Sequence, residues 1–166
     1  RWLYDAWKAG KRILLEGAQG FALDVDQGSY PFVTSSSTGV NGVGPGTGLP
    51  PKAVDRVIGI VKAYTTRVGA GPFPTHDVGP AGEHMAVRGK EVGATTGRKR
   101  QCGWFDTVIA RQAVRTQGVD AVALMKLDIL SGLEQLKVCT AYEVDGRRLD
   151  LPPASASHWR LCRPVY

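Results

Sequence analysis

The stretch Gly93-Ala94-Thr95-Thr96-Gly97-Arg98-Lys99-Arg100 packs two glycines, two adjacent hydroxyls and three cations into eight residues, which is the material of an anion clamp. Glycine lets backbone N–H groups approach a ligand closely. Hydroxyls add small donors and acceptors, and arginine meets a carboxylate or phosphate with two parallel N–H groups that lysine lacks. A second piece of chemistry lies in Lys126-Leu127-Asp128, at the end of an apolar run. A carboxylate there can accept from both the ring N–H and the exocyclic amine of guanine, a donor pair absent from adenine. The lysine two residues earlier would lay its methylene stem along the base. A bidentate base contact of this kind is worth about 1–3 kcal/mol of discrimination, although so short a motif also recurs by chance.

Other polar groups are less specific. Gln19 follows the apolar run Arg12-Ile13-Leu14-Leu15-Glu16 inside the turn Gly17-Ala18-Gln19-Gly20. Ligands collect beyond the carboxyl ends of strands in open parallel sheets, so its amide is either a ligand contact or a partner for the turn's own backbone. Thr34-Ser35-Ser36-Ser37-Thr38 offers hydroxyls to a phosphate. Gly42 to Gly48 is glycine-rich, but it has neither dinucleotide spacing nor a lysine followed by Ser or Thr. His76 and Asp77 have no third metal ligand at suitable spacing and no nearby nucleophile, and are expected to be a surface pair.

The elements that must position these groups follow from composition and period. At 166 residues, 43% hydrophobic and 22% charged, the chain has material for one globular domain with a core. There is no run of the roughly 18 apolar residues a membrane span needs and no export signal, so the expected location is cytoplasmic. Cys102, Cys139 and Cys162 are odd in number and widely spaced, and are expected to be reduced. A net charge of +6 favours anionic partners. Residues 1–9 have helical spacing closed by Gly10; residues 12–16 are expected to be a buried strand. Asp24 to Pro51 is expected to be a long loop serving a site. Pro50-Pro51 is expected to open a helix whose core stripe is Val54, Val57, Ile58, Val61 and Tyr64. Arg67 to Thr75 is expected to be a rigid loop. Asp106 would cap a helix closed by Gly118, Ala121 to Met125 would be a buried strand, and Asp145-Gly146 would turn a peripheral hairpin. The chain starts in mid-element without methionine and stops on apolar residues, the expected look of a piece of something longer.

Glu16-Gly17-Ala18-Gln19-Gly20, Tyr30 to Ser36, Lys62 to Thr75, Gly93 to Arg100, Gly103-Trp104-Phe105-Asp106 and Lys126-Leu127-Asp128 resemble adenylosuccinate synthetase, in the same order and at similar spacing. The resemblance implies an α/β fold with a largely parallel sheet and flanking helices, P-loop-NTPase-like and truncated, with residues 1–166 as the central portion of a single domain. It implies a cytoplasmic ligase of purine synthesis that joins inosine monophosphate (IMP) to L-aspartate at the cost of GTP, with magnesium, as a homodimer and without nucleic acid or membrane. The family makes the purine 6-oxygen a leaving group by phosphorylating it before the aspartate amine attacks. Carried over by motif, Gln19, Thr34, Val68 and Arg98 would contact IMP. Ala94, Thr95, Thr96, Gly97, Arg98, Lys99 and Arg100 would hold aspartate, and Arg100, Lys126, Leu127 and Asp128 would hold GTP. Catalytic residues and magnesium ligands are expected upstream of Arg1, with Gln19 in a supporting role, so that the chain alone would be inactive.

Two departures from the family pattern stand out. Met125 takes the place of the usual Thr before the guanine-motif lysine, and the region from Ser37 to Pro51 strays from the family. A non-catalytic guanine-nucleotide module is the alternative reading. A basic nucleic-acid binder is a third, but the cations are spread along the chain and no recognition motif is present.

Overall fold

The computed structural model describes residues 1–93 and 97–166, so the contacts expected of Ala94, Thr95 and Thr96 lie outside the described residues. Helix α1 (Trp2–Lys8) ends as its sequence dictates. Gly10 takes a left-handed φ of +72°, its N–H donates to Trp7 O, and the Lys11 N–H donates to Ala6 O, the two bonds of a Schellman cap. The strand expected over residues 12–16 is absent. The segment has no regular structure and no ladder partner among the described residues, and Leu14 is 93% exposed. A strand needs a ladder partner as well as an apolar run, and no described segment offers one.

The glycine-rich region is a loop with short helical turns, including 3-10 turns at Phe21–Leu23 and Val40–Gly42 and helix α2 (Val43–Thr47). The helix expected after Pro51 is replaced by a 3-10 turn at Pro51–Ala53 and two strands, β1 (Ile58–Lys62) and β2 (Tyr64–Arg67). Apolar spacing alone favoured a helix there. The run Ile58-Gly59-Ile60-Val61, with three β-branched residues in four, instead pairs along its whole length with a parallel partner. Gly59 adds a local reason, because a Cβ there would sit 3.1 Å from Val119 Cγ1.

Helix α3 (Pro80–Arg88), strand β3 (Gln101–Asp106) and helix α4 (Thr107–Gln117) follow. Asp106 caps α4 by accepting from the Val108 and Ile109 N–H groups, and Gly118 closes it at φ +59°. Strand β4 (Ala121–Met125) forms the parallel ladder with β1, Ile58 opposite Ala121. It is a strand, as expected, but not a buried one, since Val122, Leu124 and Met125 are exposed. Strand β3 runs antiparallel to β2 and parallel to β5 (Val138–Cys139). Strands β6 (Ala141–Val144), β7 (Arg147–Leu149) and β8 (Arg163–Val165), with helix α5 (Ala156–Trp159) between the last two, complete a separate antiparallel sheet. The class is therefore α/β with parallel pairing, helices and a distinct hairpin sheet. Asp145 and Gly146 turn the hairpin, both at positive φ.

Two cores result. Tyr64, Met85, Cys102 and Leu130 pack between β2, β3 and α3, while Val108, Cys139, Tyr142, Val144 and Cys162 join α4 to the hairpin sheet. The hairpin sheet thus contributes Tyr142 and Val144 to the second core and is tied to α4 by a 2.5 Å hydrogen bond from the Tyr142 hydroxyl to Asp106. All three cysteines are buried and free.

Residues 75–76 cross β3 so closely that a Cβ at Gly103 would lie 2.1 Å from Thr75 O. Gly103→Ala is therefore expected to cost about 3 kcal/mol, the upper part of the overpacking range, measured as a lowered urea midpoint. An unchanged midpoint would show that the crossing yields.

Candidate functional site

The loop Gly93 to Arg100 is anchored by a residue just before it. Helix α3 ends at Gly89, Lys90 takes a left-handed φ of +48°, and the reversed chain drives Glu91 inward with its side chain fully buried. Gly89 is required for this approach, since a Cβ there would meet the Tyr64 hydroxyl at 2.3 Å. The Glu91 carboxylate accepts from Lys62 Nζ on both oxygens (2.9 and 2.8 Å), from the Tyr64 hydroxyl (2.6 Å) and Lys126 Nζ (2.8 Å) on Oε1, and from Arg100 Nη1 (2.9 Å) on Oε2.

Three cations share one carboxylate, so the cluster carries a surplus of positive charge, and each cation remains about one third exposed. Burial alone would raise the Glu91 carboxyl, but hydrogen bonds from Lys126, Lys62, Tyr64 and Arg100 outweigh it and hold it at about 2. Burial holds the Lys62 ammonium below the usual lysine range, and the neighbouring Arg100 and Lys126 charges add to this against the pull of Glu91. Tyr64 is pushed up by burial and then by Glu91, so it stays a donor.

The same residue closes the neck of the loop. Glu91 O accepts from the Arg100 N–H (2.9 Å), Val92 bridges Lys99, and Gly93 exchanges bonds with Arg98 and Gly97. Gly97, Arg98 and Lys99 are exposed. On the other side, Lys126 sits at φ +59°, its ammonium held by Gly89 O (2.8 Å) and Glu91, and exposed Asp128 follows in the 3-10 turn Leu127–Leu130. Arg100 and Lys126, from two of the sequence motifs, are thus brought onto one carboxylate.

A second buried carboxylate organises the other motifs. Asp24 accepts from the Asp26 and Gln27 N–H groups at 3.0 Å and from the Thr38 N–H at 2.7 Å. Burial would raise it, but the N–H groups of Thr38, Gln27 and Asp26 prevail and lower it. Thr38 in turn donates from its hydroxyl to Gly20 O (3.1 Å), which fixes the turn carrying exposed Gln19 at φ +61°. Half-buried Thr34 donates its N–H to Leu23 O. Arg67, buried at the end of β2, donates to Phe32 O (2.9 Å) and Ala70 O (3.3 Å), which joins the Thr34 loop to the loop of exposed Val68. Strand β2 therefore runs from the Glu91 cluster at Tyr64 to this second cluster at Arg67.

None of the three thiols is activated for nucleophilic attack. Burial pushes the Cys102 and Cys162 thiols up to about 11 and the Cys139 thiol up to about 12, so all three stay protonated at neutral pH. His76 is exposed and stacked on Phe73, and His84 Nε2 lies 3.0 Å from Ile129 O. Asp77 departs from the expected surface pair. It is half-buried and holds Trp104 Nε1 (2.8 Å) and the N–H groups of Gly79 and Gly82, a structural duty. Among the described residues there is no group of three or more His, Cys, Asp or Glu that could hold a metal ion. None of their helices is long and apolar enough to cross a membrane.

Sequence reasoning missed Glu91, Asp24 and Arg67. Only the adjacency of Glu91 to a cationic loop hinted at its role. With Glu91 at about 2 in the fold against an ordinary 4.5, the unfolded chain binds more protons in that window. Its stabilisation is complete above about 4.5 and is lost as pH falls towards 2. Glu91→Gln should remove this acid dependence and cost roughly 3 kcal/mol at neutral pH by leaving the cations without a counter-charge, read from urea unfolding across pH.

A sequence model of the adenylosuccinate synthetase family matches residues 1–166. Adenylosuccinate synthetase of Trichormus variabilis is 57% identical over 164 residues, 99% of this chain and 37% of that protein. The protein of the same name from Synechococcus elongatus is 54% identical over 162 residues, 98% of this chain and 36% of that protein. The fully ligated enzyme of Plasmodium falciparum superimposes with a TM-score of 0.95 at 38% identity, covering 99% of this chain and 40% of that one. Cyanophage S-2L succinoaminodeoxyadenylate synthetase, solved with dGMP and with dATP as energy donor, gives 0.59 at 25% identity over 83% of this chain and 46% of that one. The chain spans little more than a third of the length of these curated relatives, and the family model matches all of it: it belongs to the adenylosuccinate synthetase family.

Proposed function

We propose that this chain is the substrate-holding central portion of a single-domain, GTP-dependent ligase that joins IMP to L-aspartate, yielding adenylosuccinate, GDP and phosphate. The observation that supports it most is the Glu91 carboxylate, which ties the cationic loop and the Lys-x-Asp motif into one electropositive face suited to anionic nucleotides and a dicarboxylate. Gln19 would orient the inosine base near its 6-oxygen, Thr34 would take the 5′-phosphate, and Val68 and Arg98 would line the sugar. Ala94 to Arg100 would grip the aspartate carboxylates, with Arg100 also serving the GTP side. Lys126, Leu127 and Asp128 would read guanine.

The Lys126 geometry is favourable for that last role. Its ammonium is already occupied by Gly89 O and Glu91, which leaves the methylene stem rather than the charge for the base face. Magnesium, needed to carry the nucleotide phosphates, would be held by residues other than those described. A cytoplasmic homodimer is the proposed setting.

The choice of base is the point to test, because the phage relative uses dATP as its energy donor. Calorimetric titration of the intact protein should show GDP binding about five- to a hundredfold tighter than ADP, the equivalent of one bidentate base contact. Asp128→Ala should erase most of that margin. Equal affinities for the two nucleotides in the unsubstituted protein would remove the guanine assignment.

A further inference from the structure

We propose that Glu91 is a positioning residue shared by two subsites: its two carboxylate oxygens set the Lys126 stem for the guanine base and the Arg100 guanidinium for the acidic substrate, so that the two subsites are energetically coupled. This inference rests on the subsite reading above and goes beyond it, since neither motif contains Glu91.

The division of labour is visible in the contacts. Oε1 takes Lys126 at 2.8 Å and Tyr64 at 2.6 Å, Oε2 takes Arg100 at 2.9 Å, and Lys62 spans both. Five donor contacts fill the roughly four lone-pair sites of a carboxylate, so no donor can be displaced without redistributing the others. Arg100 is held twice, by the Glu91 side chain and by Glu91 O through its own N–H at 2.9 Å. Lys126 is pinned at a left-handed backbone, with its ammonium anchored by Gly89 O and Glu91.

The direction of coupling follows from charge. An incoming carboxylate on Arg100 draws that cation's attraction away from Glu91, whose hold on Lys126 and Lys62 tightens. The Lys126 stem is thereby fixed more firmly where the base must lie. Reciprocity requires that a guanine nucleotide on the Lys126 side strengthen the acidic ligand on the Arg100 side by the same factor.

The test is titration of the intact protein with GDP, ADP and L-aspartate, IMP being present. In the unsubstituted protein GDP should tighten aspartate binding roughly fivefold or more, and in Glu91→Gln both that effect and the GDP-over-ADP margin should fall to within about twofold of none. Asp106→Asn, at a buried carboxylate that caps α4 and holds Tyr142, should lower the melting temperature and leave both quantities in place. Should Glu91→Gln fail to fold, Lys126→Met keeps a stem without the ammonium, and at saturating GDP the tightening of aspartate binding should vanish. A folded Glu91→Gln protein that keeps margin and tightening overturns the inference alone. So does Lys126→Met with full tightening, or Asp106→Asn losing as much as Glu91→Gln. No GDP preference in the unsubstituted protein removes the guanine reading and this inference together.

Discussion

A carboxylate fully withdrawn from water, with three cations and a phenol gathered on it, is the constraint on which the rest of this structure depends. Burying Glu91 as an anion is tolerable only because every acceptor position is used. The donors come from four places in the chain: the end of β1, the start of β2, the far side of the cationic loop and the turn after β4. Satisfying one buried charge therefore fixes the relative positions of four segments. Ion pairs of this kind are weak evidence for stability in themselves. Here their consequence is geometric, since the cations are held with their outer sides turned to solvent.

Strand β2 carries that geometry to the second cluster. It is short, yet both of its end residues, Tyr64 and Arg67, are buried and polar groups on both are bonded to distant segments. At one end lies the Glu91 network; at the other, Arg67 draws the Thr34 and Val68 loops together, while Asp24 holds the Gln19 turn against Thr38. Gln19 and Lys126 both adopt left-handed backbone, uncommon for residues with side chains. Such conformations persist where the surroundings over-determine them, and they concentrate at functional sites. The two hubs supply that over-determination.

The thiols are held protonated by burial, and Asp106 and Asp77 are committed to capping and to Trp104. The proposed ligase, which would activate an oxygen by phosphorylation, would need positioning and charge compensation above all. A net charge of +6 is in keeping with that need.

The sequence by itself determined what depends on local chemistry and on motifs read in order. The Schellman end of α1 at Gly10, the Asp106 cap and Gly118 close of α4, the β4 strand and the Asp145-Gly146 hairpin follow from residues close together in the chain, and the free cysteines and the family from spacing and motif order along it. Tertiary structure alone decided what depends on a partner. Residues 12–16 read as a strand but find no ladder among the described residues, whereas residues 58–62 read as part of a helix and were captured by β4. Glu91 and Asp24 look like ordinary acidic residues in a line of text. Their importance arises because a charge taken out of water must be answered by donors, and those donors, up to 35 residues away for Glu91, meet it only once the chain has folded.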